Sequence, residues 1–255
     1  MTPNEAYDIL ENNPNYKDKN DLEKIISQDL YCSYFYAKDV IKSRWIKGEK
    51  AISQNPRYSY FYAKDVIKGK WTKGEKTICQ DATYSYLYAR DIIKDKWIKG
   101  EKAICQNAHC SYFYAKDVIK GKWTKGEKTI CQDAQYSYFY AIYVIKGKWT
   151  KGEKTICQDA HYSYLYAIDI IEDRWIKGEK AICQDATYSY LYAKDIIKGK
   201  LPEFMHKSMI CHGIVNSEDE YVKDYFEFIS GKEPTKTNDK RINNGRKPTK
   251  IKLIS

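Results

Sequence analysis

The chain has 255 residues, 43% hydrophobic and 31% charged, enough apolar material for a continuous core beneath a wet surface. Its net charge of +10 is uneven: eight Lys and Arg against Glu233 and Asp239 place +6 in residues 231–255, so overall basicity says little about the body. No run approaches the length of a membrane span, MTPNEAYDIL lacks the basic-then-apolar order of a signal peptide, and the cysteine pattern below excludes a disulfide scaffold.

Residues 1–30 read as a degenerate N-terminal capping repeat, in which Ala6, Asp8, Ile9 and Leu10 echo a motif that follows in fuller form. From 31 to 200 a 26-residue unit recurs, and residues 110–135 match 58–83 at 24 of 26 positions. All six tryptophans, Trp45, Trp71, Trp97, Trp123, Trp149 and Trp175, keep this spacing. A fixed period of this length marks stacked supersecondary units that bury their apolar faces against one another. The expected fold is an all-α solenoid of the right-handed type, built from tandem helix-turn-helix repeats with degenerate terminal caps. A strand-plus-helix unit is the rival, because YSYFY is rich in β-formers.

In the first full unit Asn55-Pro56 is an N-cap followed by proline at N1. Asp81, Asn107, Asp133, Asp159 and Asp185 hold the cap position later. Helix A is expected from about residue 56 to 68, closed by Gly69 as a left-handed residue. Its apolar positions Tyr58, Phe61, Tyr62, Val66 and Tyr60, Ala63, Ile67 form two adjoining stripes, as suits a helix touched on both sides. Helix B is expected at about 73–80, burying Ile78 and Cys79. The string Thr72-Lys-Gly-Glu75 reads as a capping box. Copies with Ile46, Ile98 or Ile176 in place of the threonine should fray more easily. Cys79, Cys105, Cys131, Cys157 and Cys183 occupy one equivalent position, the pattern of a small buried filler. Adjacent rungs of packed helices, about 8–10 Å apart, are beyond disulfide reach. Reduced thiols point to an intracellular, cytoplasmic protein.

Residues 201–230 read as degenerate C-terminal capping helices. Leu201 replaces Trp, and Tyr221-Val222-Lys223-Asp224 echoes YAKD on a helix opening near Ser217. Residues 231–255 are polar, basic and poor in aromatics, and are expected to be a disordered tail.

The unit Y-A-K-D-V-I-K-G-K-W-x-K-G-E-K-x-I, carried by residues 34–200, resembles a short helical repeat found in phages and giant DNA viruses. Tetratricopeptide repeats are similar in architecture alone. The resemblance implies a repeat but no activity, since those proteins are mostly uncharacterised.

Function follows from what repeats and what does not. No nucleotide-binding, hydrolase or metalloprotease motif is present and no cofactor is implied, so no enzyme is expected. His206, Cys211 and His212 are the one His/Cys cluster, and their spacing fits no common zinc pattern. Asp39, Asp65, Asp91, Asp117, Asp169 and Asp195 form an acidic ladder, expected to pair with a nearby lysine or to accept a tyrosine hydroxyl. That ladder breaks where Tyr143 replaces Asp, Ile142 and Ile168 replace Lys, and Glu172 replaces another Lys. If these positions face solvent they mark a protein-interaction patch. The leading expectation is therefore a non-catalytic scaffold or adaptor, plausibly a viral factor engaging a host or competitor protein.

Nucleic-acid binding is the alternative. Lys70, Lys96, Lys122 and Lys148 precede the Trp, and Lys73, Lys99, Lys125 and Lys151 follow it, so each copy could hold a phosphate and stack a base on the indole. The competing reading makes the Trp core and the lysines its solvated edge. Arg241, Arg246, Lys247 and Lys250 offer a second basic patch in the tail, which could also serve nuclear entry. Self-assembly through slipped or swapped copies is a third class.

Overall fold

Each repeat opens with a side-chain cap, as the Asn/Asp pattern predicts. In the computed structural model, which describes residues 1–232, Asn55 Oδ1 accepts from the amides of Arg57 and Tyr58 at 3.0 and 3.3 Å. Asp81 accepts from Tyr84 N and Asp133 from Tyr136 N, each at 2.9 Å. The chain is helical throughout its regular structure, in repeating 26-residue units, with no strand among the described residues. It forms an α-solenoid of tandem repeats. Two compact units are distinguished, Met1–Ile156 and Cys157–Ser255.

In the first unit, helix A of a copy begins as an α-helix, for example Pro56–Phe61 or Ala82–Tyr88, and continues as a π-helical segment, Tyr62–Ile67 or Ala89–Ile93. The wider turn is visible in its closing bonds: Lys94 N reaches Ala89 O at 2.7 Å, and Gly69 N reaches Ala63 O at 3.1 Å. Tyr60, Tyr62 and Ala63 are buried, whereas Tyr58, Phe61, Val66 and Ile67 are half-buried. Burial therefore cuts across the two predicted stripes: Tyr62 of one and Tyr60 and Ala63 of the other form the core, and the remaining positions lie at the margin.

Two expectations for this repeat are overturned. The left-handed residue is Lys68 (φ 57°), with Lys42, Lys94, Lys120 and Lys146 at its equivalents, and Gly69 has no positive φ. A Cβ on Gly69 would meet nothing within 4 Å, and Ser43 and Asp95 take its place in other copies, so nothing there requires glycine. The left-handed position falls one residue earlier than expected, on a side chain that prefers to avoid it.

The capping box is absent as well. Helix B runs Thr72–Ile78 with Trp71 at its cap and no side-chain cap bond. Thr72 is exposed and Glu75 buried. Ile98–Ile104 and Ile176–Ile182 have the same extent as Thr72–Ile78, whereas the Ile46 copy keeps only Glu49–Ile52, so an Ile at this position does not by itself shorten the helix. Helix B instead carries a glycine that the indole demands. A Cβ on Gly74 would overlap Trp71 Cε3 and Cζ3 and come within 3.1 Å of Ser59 Cβ. Ser59 is fully buried and its Oγ donates to Ile52 O at 3.1 Å. Ser85 and Ser111 repeat this bond to Ile78 and Ile104, each at 2.9 Å. Small residues at these places let the indole lie flat between the two helices.

The N-terminal cap is better formed than its degenerate sequence suggests. Helix Pro3–Asn12 has the capping box, with Thr2 Oγ1 accepting from Glu5 N at 3.2 Å and Glu5 Oε2 accepting from Thr2 N at 2.8 Å. Ala6 and Leu10 are fully buried.

In the second unit, copies with helix A at Ala160–Tyr166 and Ala186–Tyr192 follow the same plan, with Glu172 and Lys198 left-handed. Helices Glu203–Val215 and Glu220–Ile229 close it. The cap of the latter is Asp219, which accepts from Tyr221 N at 2.9 Å. Its core tyrosine is the fully buried Tyr225, whose hydroxyl accepts from Leu201 N at 3.3 Å. The counterpart of the repeat's buried tyrosine is therefore Tyr225, four residues beyond the Tyr221 to which the YAKD echo pointed.

Candidate interaction surface

The polar groups that recur in every copy are largely spent on joining copies together. The Tyr88 hydroxyl accepts from Trp71 N at 2.9 Å and donates to Glu75 Oε1 at 3.3 Å. Tyr140 treats Trp123 N and Glu127 alike, at 2.8 and 3.5 Å, and in the second unit Tyr192 does the same with Trp175 N and Glu179, at 2.7 and 3.4 Å. Burial pushes the hydroxyls of Tyr88 and Tyr140 up to about 12, with the bond from the Trp amide working against it and the nearby Glu adding to it.

Each of these buried carboxylates is also met by basic side chains. Glu49 takes Arg44 at 2.7 Å and Lys73 at 3.6 Å. Glu101 takes Lys96 at 3.9 Å and Lys125 at 2.6 Å, and Glu127 takes Lys122 at 4.0 Å and Lys151 at 2.6 Å. Lys99 meets Glu75 at 2.7 Å. The hydrogen bond to the carboxylate, and then its charge, raises Lys99, Lys125 and Lys151 above the ordinary lysine value. The row after the Trp thus reaches back to the preceding copy, and the row before it stays within its own. Lys70 and Lys148 make no ion pair among the described residues. The indoles are buried, Trp71 being 3% exposed, so they turn no ring face to a base. Lys122, Lys148 and Lys151 rim an open cleft floored by Val144, Ile145 and Trp149. Arg241, Arg246, Lys247 and Lys250 lie outside the described residues.

The acidic ladder forms a second seam. Tyr34 donates to Asp65 at 2.7 Å, Tyr60 to Asp91 at 2.5 Å and Tyr86 to Asp117 at 2.6 Å. In the second unit Tyr164 donates to Asp195 at 2.5 Å. Burial pushes the Asp91 carboxyl up, but bonds from Arg90, Tyr60 and Lys64 outweigh it and hold the group well below the usual carboxylate range.

At Tyr143 this seam changes character. Tyr143 is 48% exposed and Ile142 beside it is half-buried. Phe139 lies 6.0 Å from the Tyr143 ring, and Lys116 sits 5.4 Å from its centroid. In the second unit Ile168 is half-buried and Glu172 is exposed at a left-handed residue, φ 58°. The sequence singled out Ile142, Tyr143, Ile168 and Glu172 by their departure from the period. It gave no signal for the role of Tyr112 and Lys116, whose letters match the other copies.

The remaining candidates disperse. Cys79, Cys105, Cys131, Cys157 and Cys183 are half-buried, not the fully buried filler expected. The Cys79 thiol turns to Lys76 O at 3.3 Å because it sits just past the last turn of helix B. His206 bonds the Tyr225 hydroxyl at 2.7 Å and His212 bonds Cys183 O at 3.1 Å, while Cys211 is exposed. No group of three or more His, Cys, Asp or Glu is placed to hold a metal among the described residues. None of the described helices is long and apolar enough to cross a membrane. No family model, curated protein or solved structure matches the chain.

Proposed function

We propose that the chain is a non-catalytic repeat protein that binds a protein partner as a scaffold or adaptor. The observation that carries this reading is the break at 142–143. At Asp65, Asp91 and Asp117 in the first unit the acid takes a tyrosine hydroxyl, whereas here an exposed aromatic and an aliphatic side chain stand in that register. Exposed apolar residues rimmed by polar ones favour a macromolecular contact. Ile168 and Glu172 alter the corresponding positions of the next copy. In the viral setting that the repeat's resemblance implies, the partner would be a host or competitor protein. The test compares partner capture by the full chain with capture by Ile142→Lys and Ile168→Lys, using Lys76→Glu as an exposed repeated control. Loss with the first two and retention with the third is expected. Retention with both, together with loss at a residue elsewhere, refutes the reading.

Nucleic-acid binding is a second reading, favoured by the cleft that Lys122, Lys148 and Lys151 rim. It predicts affinity for mixed DNA and RNA that falls steeply with salt and falls again in Lys122→Gln/Lys148→Gln. Absence of binding at low salt removes it.

A further inference from the structure

The seam at Tyr143 lacks a group that its sister seams contain. Where Tyr60 donates to Asp91 at 2.5 Å, Lys64 Nζ reaches the same carboxylate oxygen at 3.2 Å and the Tyr60 hydroxyl at 3.0 Å. One copy later, Tyr86 donates to Asp117 at 2.6 Å and accepts from Arg90 at 3.1 Å. At the first place a phenol, a cation and a carboxylate meet; at the second the phenol joins Asp117 to Arg90, whose own ion pair is with Asp91. Tyr112 and Lys116 are the next phenol and cation in this register, and Tyr143 stands where the acid belongs.

The two remaining members are left without their anion. Tyr112 is 2% exposed, yet its hydroxyl makes no hydrogen bond among the described residues. Lys116 is exposed and forms no ion pair among them; it rests 5.8 Å from the Tyr112 ring and 5.4 Å from the Tyr143 ring. Asp117, the nearest acid in sequence, is already engaged by Tyr86. Phe139, 5.8 Å from Tyr112 and 6.0 Å from Tyr143, continues the aromatic surface beside the half-buried Ile142. An unpaired hydroxyl on an otherwise buried tyrosine, its oxygen still touched by solvent, and an exposed cation therefore converge at a place whose counterparts in the sister copies hold a carboxylate, next to apolar surface.

We infer that this seam is a docking site for an Asp or Glu side chain on a short acidic segment of a partner protein, with a neighbouring apolar residue of that segment lying on Tyr143 and Ile142. The inference rests on the proposed protein-binding function and specifies the partner's chemistry. The incoming carboxylate accepts from the Tyr112 hydroxyl and from Lys116, as Asp91 accepts from Tyr60 and Lys64. A charge-assisted pair in a partly desolvated site contributes more than the same pair at an open surface.

The sister copies supply the test. Tyr143→Asp restores an internal carboxylate, so it occupies the site from within and does not lower the melting temperature. A displayed library of short peptides is selected on the wild-type full chain, and the enriched peptides are remade synthetically with Asp and Glu or with Asn and Gln. Enriched peptides are expected to carry an acid beside an apolar residue. Their affinity is expected to fall roughly tenfold or more on acid-to-amide exchange, on Lys116→Gln and on Tyr143→Asp. Peptides without acids, or peptides that bind Tyr143→Asp as well as wild type, overturn this site while leaving protein binding in place. Failure to enrich any peptide counts against both. Dimers of the wild-type chain in sedimentation that Tyr143→Asp dissolves would overturn the choice of occupant in favour of a second copy.

Discussion

Tyr86→Phe and Tyr112→Phe make the same chemical change at the same register of successive copies, with only the partner differing. Tyr86 gives up a 2.6 Å bond to Asp117 and the 3.1 Å bond it accepts from Arg90. Tyr112 gives up none. Both rings keep their packing, so the difference isolates the hydroxyl. A hydrogen bond to a charged group contributes about 1.5–3 kcal/mol, and Asp117 keeps some access to water, so the Tyr86 change should cost about 1–2 kcal/mol. The Tyr112 change should fall within about 0.5 kcal/mol of wild type, since an unmade bond cannot be lost. Equilibrium urea unfolding followed by the fluorescence of the buried tryptophans gives the midpoints, compared at a common slope. In a repeat array the loss spreads partly to neighbouring copies, but the two sites are one period apart and share that effect. Equal losses for both variants would refute the account of the seam, and a larger loss for Tyr112 would show that its hydroxyl has a partner after all.

Other perturbations address the rest of the repeat. Tyr88→Phe strands the Trp71 amide and removes a donor from Glu75, and should cost about 2–4 kcal/mol in the same urea assay. Gly74→Ala should cost about 1–3 kcal/mol by overpacking the Trp71 indole, while Gly69→Ala, with nothing within 4 Å of the added carbon, should be neutral or stabilising by about 0.4–1 kcal/mol. Lys94→Gly should raise stability by about 1 kcal/mol, because glycine carries no penalty at φ 57°. Alkaline unfolding should be steep: Tyr86, Tyr88, Tyr114 and Tyr140 are pushed by burial from 10 to about 12. Unfolded tyrosines lose their protons first, so this stability is intact below pH 10 and is lost as pH rises towards 12. Circular dichroism against pH, with Tyr86→Phe/Tyr88→Phe shifting the transition, checks it.

Much of this repeat was legible in its letters. The Asn and Asp caps could be read because a cap needs only a local side chain and the amides just after it. The indole ladder as core was one of two readings, and so was Asp as acceptor of a Tyr hydroxyl. What escaped shares one cause. Thr72-x-x-Glu75 matches a capping box locally, but Glu75 is claimed by Tyr88 and Lys99 of the following copy, and a pattern confined to four residues cannot see them. The π segment hides for a similar reason. Over six residues its apolar spacing is indistinguishable from α, and only the closing bond of Lys94 to Ala89 reveals the extra residue. Tyr112 and Lys116 carry ordinary letters, and their interest comes entirely from a neighbour 31 or 27 positions away.

The bonds that join copies run over constant separations: 17 residues from Trp amide to Tyr hydroxyl, 24 from Lys back to Glu, 31 from Tyr to Asp. An in-frame deletion or duplication of one 26-residue period within the array therefore re-forms every such junction from residues already suited to it. Loss of residues 78–103, for instance, would bring Tyr114 to the place Tyr88 now holds relative to Trp71. The array can change length by recombination without any side chain needing to adapt. Copy number is thus a cheap variable for this protein, whereas the position of Tyr143 within the count is not, because each gain or loss moves it relative to the ends.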